Sequence, residues 1–233
     1  MIDLFFWPTP NGYKPLMMLK ECGLDYSLKP INIGAGDQFN PAFLKFSPNN
    51  RMPAIIDHDP ADGDGVQTVF ESGAILQYLA QKTGKFAGDS ARDKVEVTEW
   101  LMWQMGGLGP MLGQNHHFSH YAPEKIDYAI TRYVDETARL YGVLNRRLEG
   151  RDFIIGDKYT IADMACYPWI LWDRQGQDRA DFPHLAAWFD RIKARPMTVE
   201  AYEEGKAIGQ SEMTEEAKKV LFGQTAETVG GKG

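Results

Sequence analysis

Hydrogen-bond donors follow the first apolar run of the chain, residues 2–7. The stretch PTPNGYK comes directly after this run and carries the hydroxyl of Thr9 and the carboxamide of Asn11. Neither group titrates near pH 7, so neither can serve as a general base. Both can donate hydrogen bonds to a group that is bound beside them. The stretch therefore indicates a place where a reacting atom is held rather than one where a proton is removed.

A second polar pair lies in FESGAI, residues 70–75, where a strand pattern gives way to a helical one. Ser72 can simply cap the helix, with Glu71 as an acidic residue beside it. Alternatively, the N–H groups at the helix start bind a ligand carboxylate, and Glu71 binds an ammonium group of the same ligand. The residues alone leave both interpretations open.

Pro53 begins an apolar run in the stretch NNRMPAIID. A proline has no N–H to donate to a sheet, so its position indicates an edge or an unusual peptide bond. An ordinary trans proline would simply start the strand. A cis Met52–Pro53 bond would turn the backbone N–H and C=O of Met52 toward an extended peptide. Both forms remain open at this point.

Neither of two candidate metal patterns is complete. His116 and His120 are spaced for one face of a helix, beside His117, but no carboxylate or thiol lies nearby at ligand spacing. The loop PADGDGVQTVFE resembles a calcium loop, yet its first position is Pro60, which has no side-chain oxygen. We therefore expect no metal, histidines that stack or line a cleft, and a solvated loop.

Two further motifs are interpreted as structural. Thr160 and Asp163 in YTIAD form a capping box, which should start a buried helix. GGLGP, residues 106–110, follows no strand, so it is not a dinucleotide-binding fingerprint. A kinked helix explains this glycine-rich stretch better.

The elements that position these residues alternate between strand and helix up to residue 84. Short apolar runs predict strands, and apolar residues at helical spacing predict helices. In chain order we expect a strand at 2–7, a helix at 15–22, a strand at 26–33, a helical turn at 41–46, strands at 53–57 and 68–70, and a helix at 72–83.

Only helical patterns follow a linker at residues 82–93. They include an amphipathic run over 126–148 and a largely apolar helix at 161–172. The patterns predict an N-terminal α+β domain at 1–84, an all-helical domain at 93–204 and a tail at 205–233. We expect the tail to be partly disordered or to pack on the body through Leu221 and Phe222.

Composition places the chain among ordinary globular proteins, since 43% of its 233 residues are hydrophobic and 24% are charged. The net charge of −7 argues against nonspecific nucleic-acid binding. No apolar run approaches the roughly 18 residues of a membrane span. The N-terminus lacks the pattern of a secretory signal. The two cysteines, Cys22 and Cys166, form no CxxC motif and indicate a reduced, cytoplasmic protein.

The order and spacing of several motifs make residues 1 to about 204 resemble a glutathione transferase. These motifs are MPAI (52–55), FESGAILQYL (70–79) and YTIADMACYPW (159–169). A finer match is to the nu class, bacterial proteins with glutathione-dependent disulfide-bond reductase activity. It rests on PTPNGYK (8–14), GDQFNPAFLKFSPNNRMPAIID (36–57) and GGLGPMLGQNHHF (106–118).

The resemblance implies a thioredoxin-like N-terminal domain with a mixed four-stranded sheet and helices, followed by an all-α C-terminal bundle. It also implies a homodimer that uses glutathione as a cosubstrate. The backbone of Met52, before a cis Pro53, would pair with the cysteinyl part of glutathione. Glu71 and Ser72 would hold its γ-glutamyl end. Further contacts are implied for Asn11, Gln38 and Arg132, the last of these to a glutathione carboxylate.

The resemblance also sets the chemistry expected at Thr9 and Asn11. Most relatives place Tyr, Ser or Cys near the thiol of glutathione, and here these two residues hold the corresponding place. Donors aimed at the sulfur, with the N-terminus of a helix that starts near Lys14, favour the thiolate. The expected activity is disulfide reduction by bound glutathione, which needs neither Cys22 nor Cys166.

Two alternatives use the same site. A bound thiolate can instead attack an electrophilic carbon or a peroxide, which gives conjugation or peroxidase activity. Conjugation needs an apolar pocket, for which Trp7, Trp103, Phe118 and Trp169 are candidates. The chain can also bind glutathione without useful catalysis, as a regulator does. Turnover, compared with binding stoichiometry, separates these possibilities.

Overall fold

The computed structural model describes residues 1–209 and 214–226. These residues form two compact units. The first contains Met1–Thr83 and the described residues from Glu200 onward, and the second is Gly84–Val199. The expectation of disorder at the end of the chain falls on residues 227–233, which lie outside the described residues.

A mixed sheet organises the first unit. Its strands lie in the order β2-β1-β3-β4, with β1 and β2 parallel and β3 antiparallel to both of its neighbours. Ile2 and Leu4 of β1 are fully buried, as expected for a central strand. This topology confirms the predicted thioredoxin-like sheet. The strands are β1 (Ile2–Phe6), β2 (Tyr26–Pro30), β3 (Ala54–Asp57) and β4 (Gln67–Phe70).

The helices of this region are α1 (Pro10–Cys22), the short α2 (Pro41–Leu44) and α3 (Ser72–Thr83). The prediction that α1 begins near Pro15 or Lys14 was wrong. Thr9 caps the helix by accepting a hydrogen bond from the N–H of Gly12, and Pro10 takes the first helical position, which suits its fixed φ. Pro15 is tolerated inside this helix near its start.

Helices make up the core of the second unit. Two π-helical turns, Gln104–Leu108 and His117–Tyr121, flank α5 within a continuous helical stretch. The first of them contains the glycine pair of GGLGP, where the sequence predicts a kinked helix; a π-helical turn is one of the features at which helices kink. The helices are α4 (Ala91–Trp103), α5 (Gly109–His116), α6 (Asp127–Arg147), α7 (Ile161–Cys166) and α8 (Pro183–Lys193).

Helix α7 is shorter than the predicted 161–172. It ends at Cys166 and passes into a 3₁₀ turn at Tyr167–Trp169, because Pro168 cannot donate the hydrogen bond that an α-helix needs. Its start agrees with the prediction. Thr160 and Asp163 form the capping box, and the Asp163 carboxylate accepts the N–H of Thr160 at 2.9 Å.

Two more helices end the described chain: α9 (Pro196–Ala207) and α10 (Glu215–Phe222). The second half of α9 packs on α1. There the rings of Tyr13 and Tyr202 stack at 4.0 Å, and Lys20 pairs with Glu204 at 2.7 Å. Helix α10 begins at a Thr214 cap, and Gln224 just beyond it accepts a hydrogen bond from Asn50 at 3.3 Å.

None of the helices in the described residues has the length and apolarity that a membrane crossing needs.

Candidate functional site

The start of α1 meets the segment before β3. The hydroxyl oxygen of Thr9 accepts the N–H of Gly12 at 3.3 Å, and the same hydroxyl donates to the sulfur of Met52 at 3.5 Å. Asn11 lies two residues after Thr9 in the first turn of α1 and is half-buried. The structure thus brings Thr9, Asn11 and Met52 to one place, beside the positive end of a helix.

Gly12 permits this close approach. A Cβ atom at this position would lie 2.2 Å from the carbonyl oxygen of Trp7 and 2.8 Å from the methyl carbon of Met52. No side chain fits in that space without movement of the backbone. Asn11-Gly12 could form a hairpin turn by its residue types, but a strand-to-helix loop is preferred because a helical pattern follows, and the structure has that loop. The contact that requires a glycine is the backbone carbonyl of Trp7, because the methyl end of Met52 can shift.

Met52 offers backbone groups next to this helix start. The Met52–Pro53 bond is cis, as the resemblance predicted, and β3 begins one residue later, at Ala54. The Met52 side chain is buried among Ile31, Phe43 and Ala54. Within the described residues, the N–H and C=O of Met52 have no hydrogen-bond partner. Backbone groups of this kind can pair with an extended peptide.

Glu71 and Ser72 lie at the start of α3. The carbonyl of Glu71 accepts the N–H of Ile75 at 2.9 Å, so Glu71 rather than Ser72 precedes the helix, and Ser72 is its first residue. Glu71 has φ 70°, a left-handed conformation that costs a non-glycine residue about 1–3 kcal/mol. Asn49 donates to the Glu71 carboxylate at 3.2 Å. Strain of this kind is often found at functional sites.

Lys14 reaches the same helix start from α1. Its side chain is 1% exposed, and its Nζ atom donates to the Oγ atom of Ser72 at 3.3 Å. The sequence carries one signal for this position. A lysine stands there among apolar residues, directly after Tyr13 and two residues before Leu16.

Gln38 is buried in a 3₁₀ turn at Asp37–Phe39. Its side-chain nitrogen donates to the carbonyl of Ile33 at 3.1 Å. Its side-chain oxygen is buried and has no donor among the described residues. Because buried polar atoms are normally hydrogen-bonded, this oxygen is suited to accept from a ligand.

Arg132 belongs to the second unit. It lies on α6 and is exposed to solvent. Its charge helps to keep the pKa of the Glu136 carboxyl below its usual value, although the hydrogen bond from Arg139 is the larger cause. The contact between Arg132 and a glutathione carboxylate stays a prediction.

His116 of GQNHHF belongs to an internal hydrogen-bond network. Gln175 donates to Nε2 of His116 at 3.1 Å, and the His116 ring stacks on Trp169. Burial, with the charges of Arg174 and His120, lowers the pKa of His116 to about 4, so the ring is neutral at pH 7. Among the described residues, no group of His, Cys, Asp and Glu is arranged to hold a metal.

The two cysteines are packed side chains, one in each unit. Cys22 ends α1, so it is roughly 20 Å from the start of that helix. It contacts Thr83 and Met18 through its sulfur. Cys166 is fully buried at the end of α7, in the other unit. Both positions are those of packed side chains rather than of a redox pair.

Comparisons with known proteins match segments in both units of the chain. The family profiles for the Glutathione S-transferase, N-terminal domain and the Glutathione S-transferase, C-terminal domain match residues 2–81 and 111–196. The disulfide-bond oxidoreductase YfcG of Escherichia coli K12 is 55% identical over 202 residues, which cover 86% of this chain and 94% of the relative. The disulfide-bond oxidoreductase YghU of the same organism is 37% identical over 225 residues, covering 90% and 75%.

A solved structure is similar as well. It is a glutathione transferase family member from Pseudomonas fluorescens pf-5 with two glutathione bound. The TM-score is 0.82 at 40% identity, and the match covers 87% of this chain and 92% of that one. The chain belongs to the glutathione S-transferase family.

Proposed function

We propose that this enzyme reduces disulfide bonds by thiol–disulfide exchange, with glutathione supplying the sulfurs. The observation that carries the proposal is the arrangement at the start of α1. The hydroxyl of Thr9 caps this helix, Asn11 lies in its first turn, and Cys22, the cysteine of this unit among the described residues, lies at the other end of the helix. Such a site can stabilise a thiolate that arrives with a ligand. The similarity to two disulfide-bond oxidoreductases supports the same chemistry.

Glutathione binds along the first unit in this proposal. Its cysteinyl part pairs with the backbone of Met52, beside Pro53, which places the thiol near Thr9 and Asn11. Its γ-glutamyl end lies at Glu71 and Ser72. The open backbone groups of Met52 and the orphaned oxygen of Gln38 support this placement. Further contacts come from Asn11, Gln38 and Arg132.

The reaction takes two exchange steps. The bound thiolate attacks one sulfur of the substrate disulfide, forms a mixed disulfide and releases the other sulfur as a thiolate, which takes up a proton. A second glutathione thiolate then attacks the glutathione sulfur of the mixed disulfide. This releases the second substrate thiol and glutathione disulfide. Two glutathione molecules supply the two electrons, and the relative from P. fluorescens holds two glutathione.

A nu-class homodimer located in the cytoplasm is the proposed biological form. Apolar side chains exposed on β4 and α4, Phe70 and Met102 among them, support association with a second copy. The segments 8–14, 36–57 and 106–118 carry the class assignment. Both cysteines are free thiols, which is typical of proteins in a reducing compartment.

The test compares two activities in three proteins. Wild type, Thr9→Ala and the double variant Cys22→Ala/Cys166→Ala are assayed for glutathione-dependent reduction of a small dialkyl disulfide and for conjugation of an aryl halide. We expect fast disulfide turnover with weak conjugation in wild type. The cysteine variant should keep this turnover, and Thr9→Ala should lose about tenfold or more.

Other outcomes identify the alternatives. Fast conjugation with negligible disulfide turnover would make the protein an ordinary transferase, and tight glutathione binding without either turnover would make it a binding protein. Loss of turnover in a folded cysteine variant would refute the role of glutathione as the source of both sulfurs.

A further inference from the structure

Helix α10 packs on the first unit through one of its faces. The apolar residues of that face are three or four positions apart, which is the spacing of one side of a helix. An added Cβ at Gly36 would lie 3.7 Å from the Cγ1 atom of Val220, so the face lies against the turn that precedes Gln38. The residues of the face are Ala217, which is buried, and Val220, Leu221 and Gln224, which are half-buried.

Gln224 links the end of α10 to Asn50. Its Nε2 atom donates to the carbonyls of Val220 and Leu221 at 3.3 and 3.2 Å, in the last turn of the helix. Carbonyls in a last turn need acceptor partners from outside the helix, and the Gln224 amide supplies them. Because the nitrogen is engaged there, the side-chain oxygen faces Asn50 and accepts from its Nδ2 atom at 3.3 Å.

Asn50 lies in a compact turn, residues 47–51, which we call the Asn50 turn. Asn50 is 3% exposed and has φ 45°, a left-handed conformation that asparagine tolerates better than most residues do. Its N–H donates to the carbonyl of Ser47 at 3.0 Å, and the Ser47 hydroxyl donates to the carbonyl of Arg51 at 2.8 Å. The bond from Asn50 to Gln224 therefore attaches an ordered turn to α10.

The Asn50 turn leads into two of the proposed glutathione contacts. Met52 follows its last residue, and Asn49 donates to the Glu71 carboxylate at 3.2 Å. The Val220 contact lies at Gly36, two residues before Gln38, which is a third proposed contact. Helix α10 thus touches the chain just before Gln38 and again just before Met52.

We propose that α10 is a strap that holds the Asn50 turn in the conformation that binds glutathione, with Gln224 as the positioning residue. The inference rests on the proposed glutathione site and adds its regulation, because docking of α10 raises the affinity for glutathione. The strap itself need not touch the ligand. Since coupling between two binding events is reciprocal, bound glutathione stabilises the docked helix by the same factor.

The test uses full-length variants at both contacts of α10. Gln224→Ala removes the link to Asn50, and Val220→Asp places a charge against Gly36, which should release the helix. In calorimetric titrations with glutathione, each variant should raise the dissociation constant about threefold to tenfold. Lys219→Ala is the matched control, because Lys219 is exposed on the same helix, and it should bind glutathione as wild type does.

A double-mutant cycle tests the link between Gln224 and Asn50. Asn50→Gly removes the side chain and still permits the left-handed φ. Adding Gln224→Ala to Asn50→Gly should change the dissociation constant less than about twofold, because the link is already absent. In kinetic assays, Gln224→Ala should raise KM for glutathione while kcat at saturating glutathione stays near the wild-type value.

Amide hydrogen exchange gives a readout that a purely structural role would not move. Saturating glutathione should slow exchange in residues 215–222 of wild type by about threefold to tenfold, because the ligand stabilises the docked helix. Val220→Asp should show little of this protection. If glutathione leaves exchange in α10 of wild type unchanged, the helix is not coupled to the ligand and the inference is wrong.

The remaining outcomes separate the strap from the proposed activity. Wild-type affinity for glutathione in Gln224→Ala and Val220→Asp would overturn the inference, and so would additive losses in the cycle with Asn50→Gly. If these variants bind glutathione more weakly but wild type does not reduce disulfides, the strap stands and the proposed activity fails. Wild type that does not bind glutathione would overturn both.

Discussion

A glycine permits the close approach of the Trp7 carbonyl to the first turn of α1. The Met52 methyl group lies where a Cβ of residue 12 would meet it, and the carbonyl of Trp7 lies closer still. The Trp7 carbonyl belongs to the backbone, so it cannot move aside as the end of a flexible side chain can. The tight turn from β1 into α1 therefore depends on residue 12 having no side chain, whereas the methyl end of Met52 can move aside.

Gly12→Ala should destabilise the protein and disturb the proposed site together. We expect a loss of about 1–3 kcal/mol in the free energy of unfolding, as for an overpacked core, with weaker glutathione binding. Urea unfolding and calorimetric titration measure the two effects. Gly106→Ala is the control, because its added Cβ meets no described atom within 4 Å apart from its chain neighbours and the backbone of its own helix. Equal stability of the two variants would contradict the close approach.

The residue types indicated which side chains form the site. Contacts between residues far apart in sequence bring these side chains together. Thr9 and Met52 are 43 positions apart, and Lys14 and Ser72 are 58 apart. Spacing along the chain contains no information about such pairs. The resemblance supplied the cis bond before Pro53, which the residues alone had left open. The burial of Lys14 follows from the packing of α1 on α3, so no local rule could assign it.

At the scale of the element, hydrogen bonds to capping groups decide where helices begin. Asp163 at the start of α7 accepts from the N–H groups of Ile154 and Thr160 and from the indole of Trp188, at 2.8–2.9 Å. The carboxylate is fully buried. It joins α7 to the preceding loop and to α8.

Asp163→Ala should cost about 3–5 kcal/mol of unfolding free energy, since each buried donor left without a partner costs about 1–3 kcal/mol. Chemical denaturation measures this loss. The capping box of α4 provides the control. Ser90 accepts from Asp93 in an exposed position, so Ser90→Ala should cost about 1 kcal/mol. Similar losses in the two variants would show that burial of the Asp163 network adds nothing.

Periodicity predicted which elements exist better than where they end. The helix at 72–83 and the long amphipathic helix α6 followed from apolar spacing. The start of α1 was misplaced because Pro15 was taken as the first residue, whereas Thr9 and Pro10 already supply a cap and a first position. The end of α7 was misplaced because apolar residues continue past Pro168, which stops the α-helix.

At the scale of the whole molecule, the family resemblance predicted more of the fold than the residue patterns did. Alternating strand and helix patterns indicate an α+β region, but the order β2-β1-β3-β4 depends on pairings that no local pattern specifies. The return of the chain to the first unit after residue 199 depends on contacts such as Tyr13 with Tyr202. Those contacts form between residues far apart in sequence.

The pH dependence of unfolding tests the internal network around His116. Gln175 donates to its ring nitrogen and also to the carbonyl of Trp169 at 2.9 Å, so the buried ring must stay neutral to accept. The pKa of His116 is about 4 in the folded protein and 6.5 in the unfolded chain. Between these values only the unfolded chain takes up the proton. The contribution of the neutral His116 ring to the free energy of unfolding is therefore fully present above pH 6.5. It is lost as the pH falls toward 4.

Urea unfolding from pH 7 to pH 4.5 should show this loss in wild type, at most about 3 kcal/mol. His116→Phe keeps a ring against Trp169 but cannot titrate. It should be less stable at pH 7, because Gln175 loses an acceptor, and its stability should fall less as the medium is acidified. His184→Phe alters an exposed side chain and should follow wild type. If His116→Phe and wild type lose stability in parallel, the buried network accepts a charged imidazole, and the neutral His116 inferred from its burial is wrong.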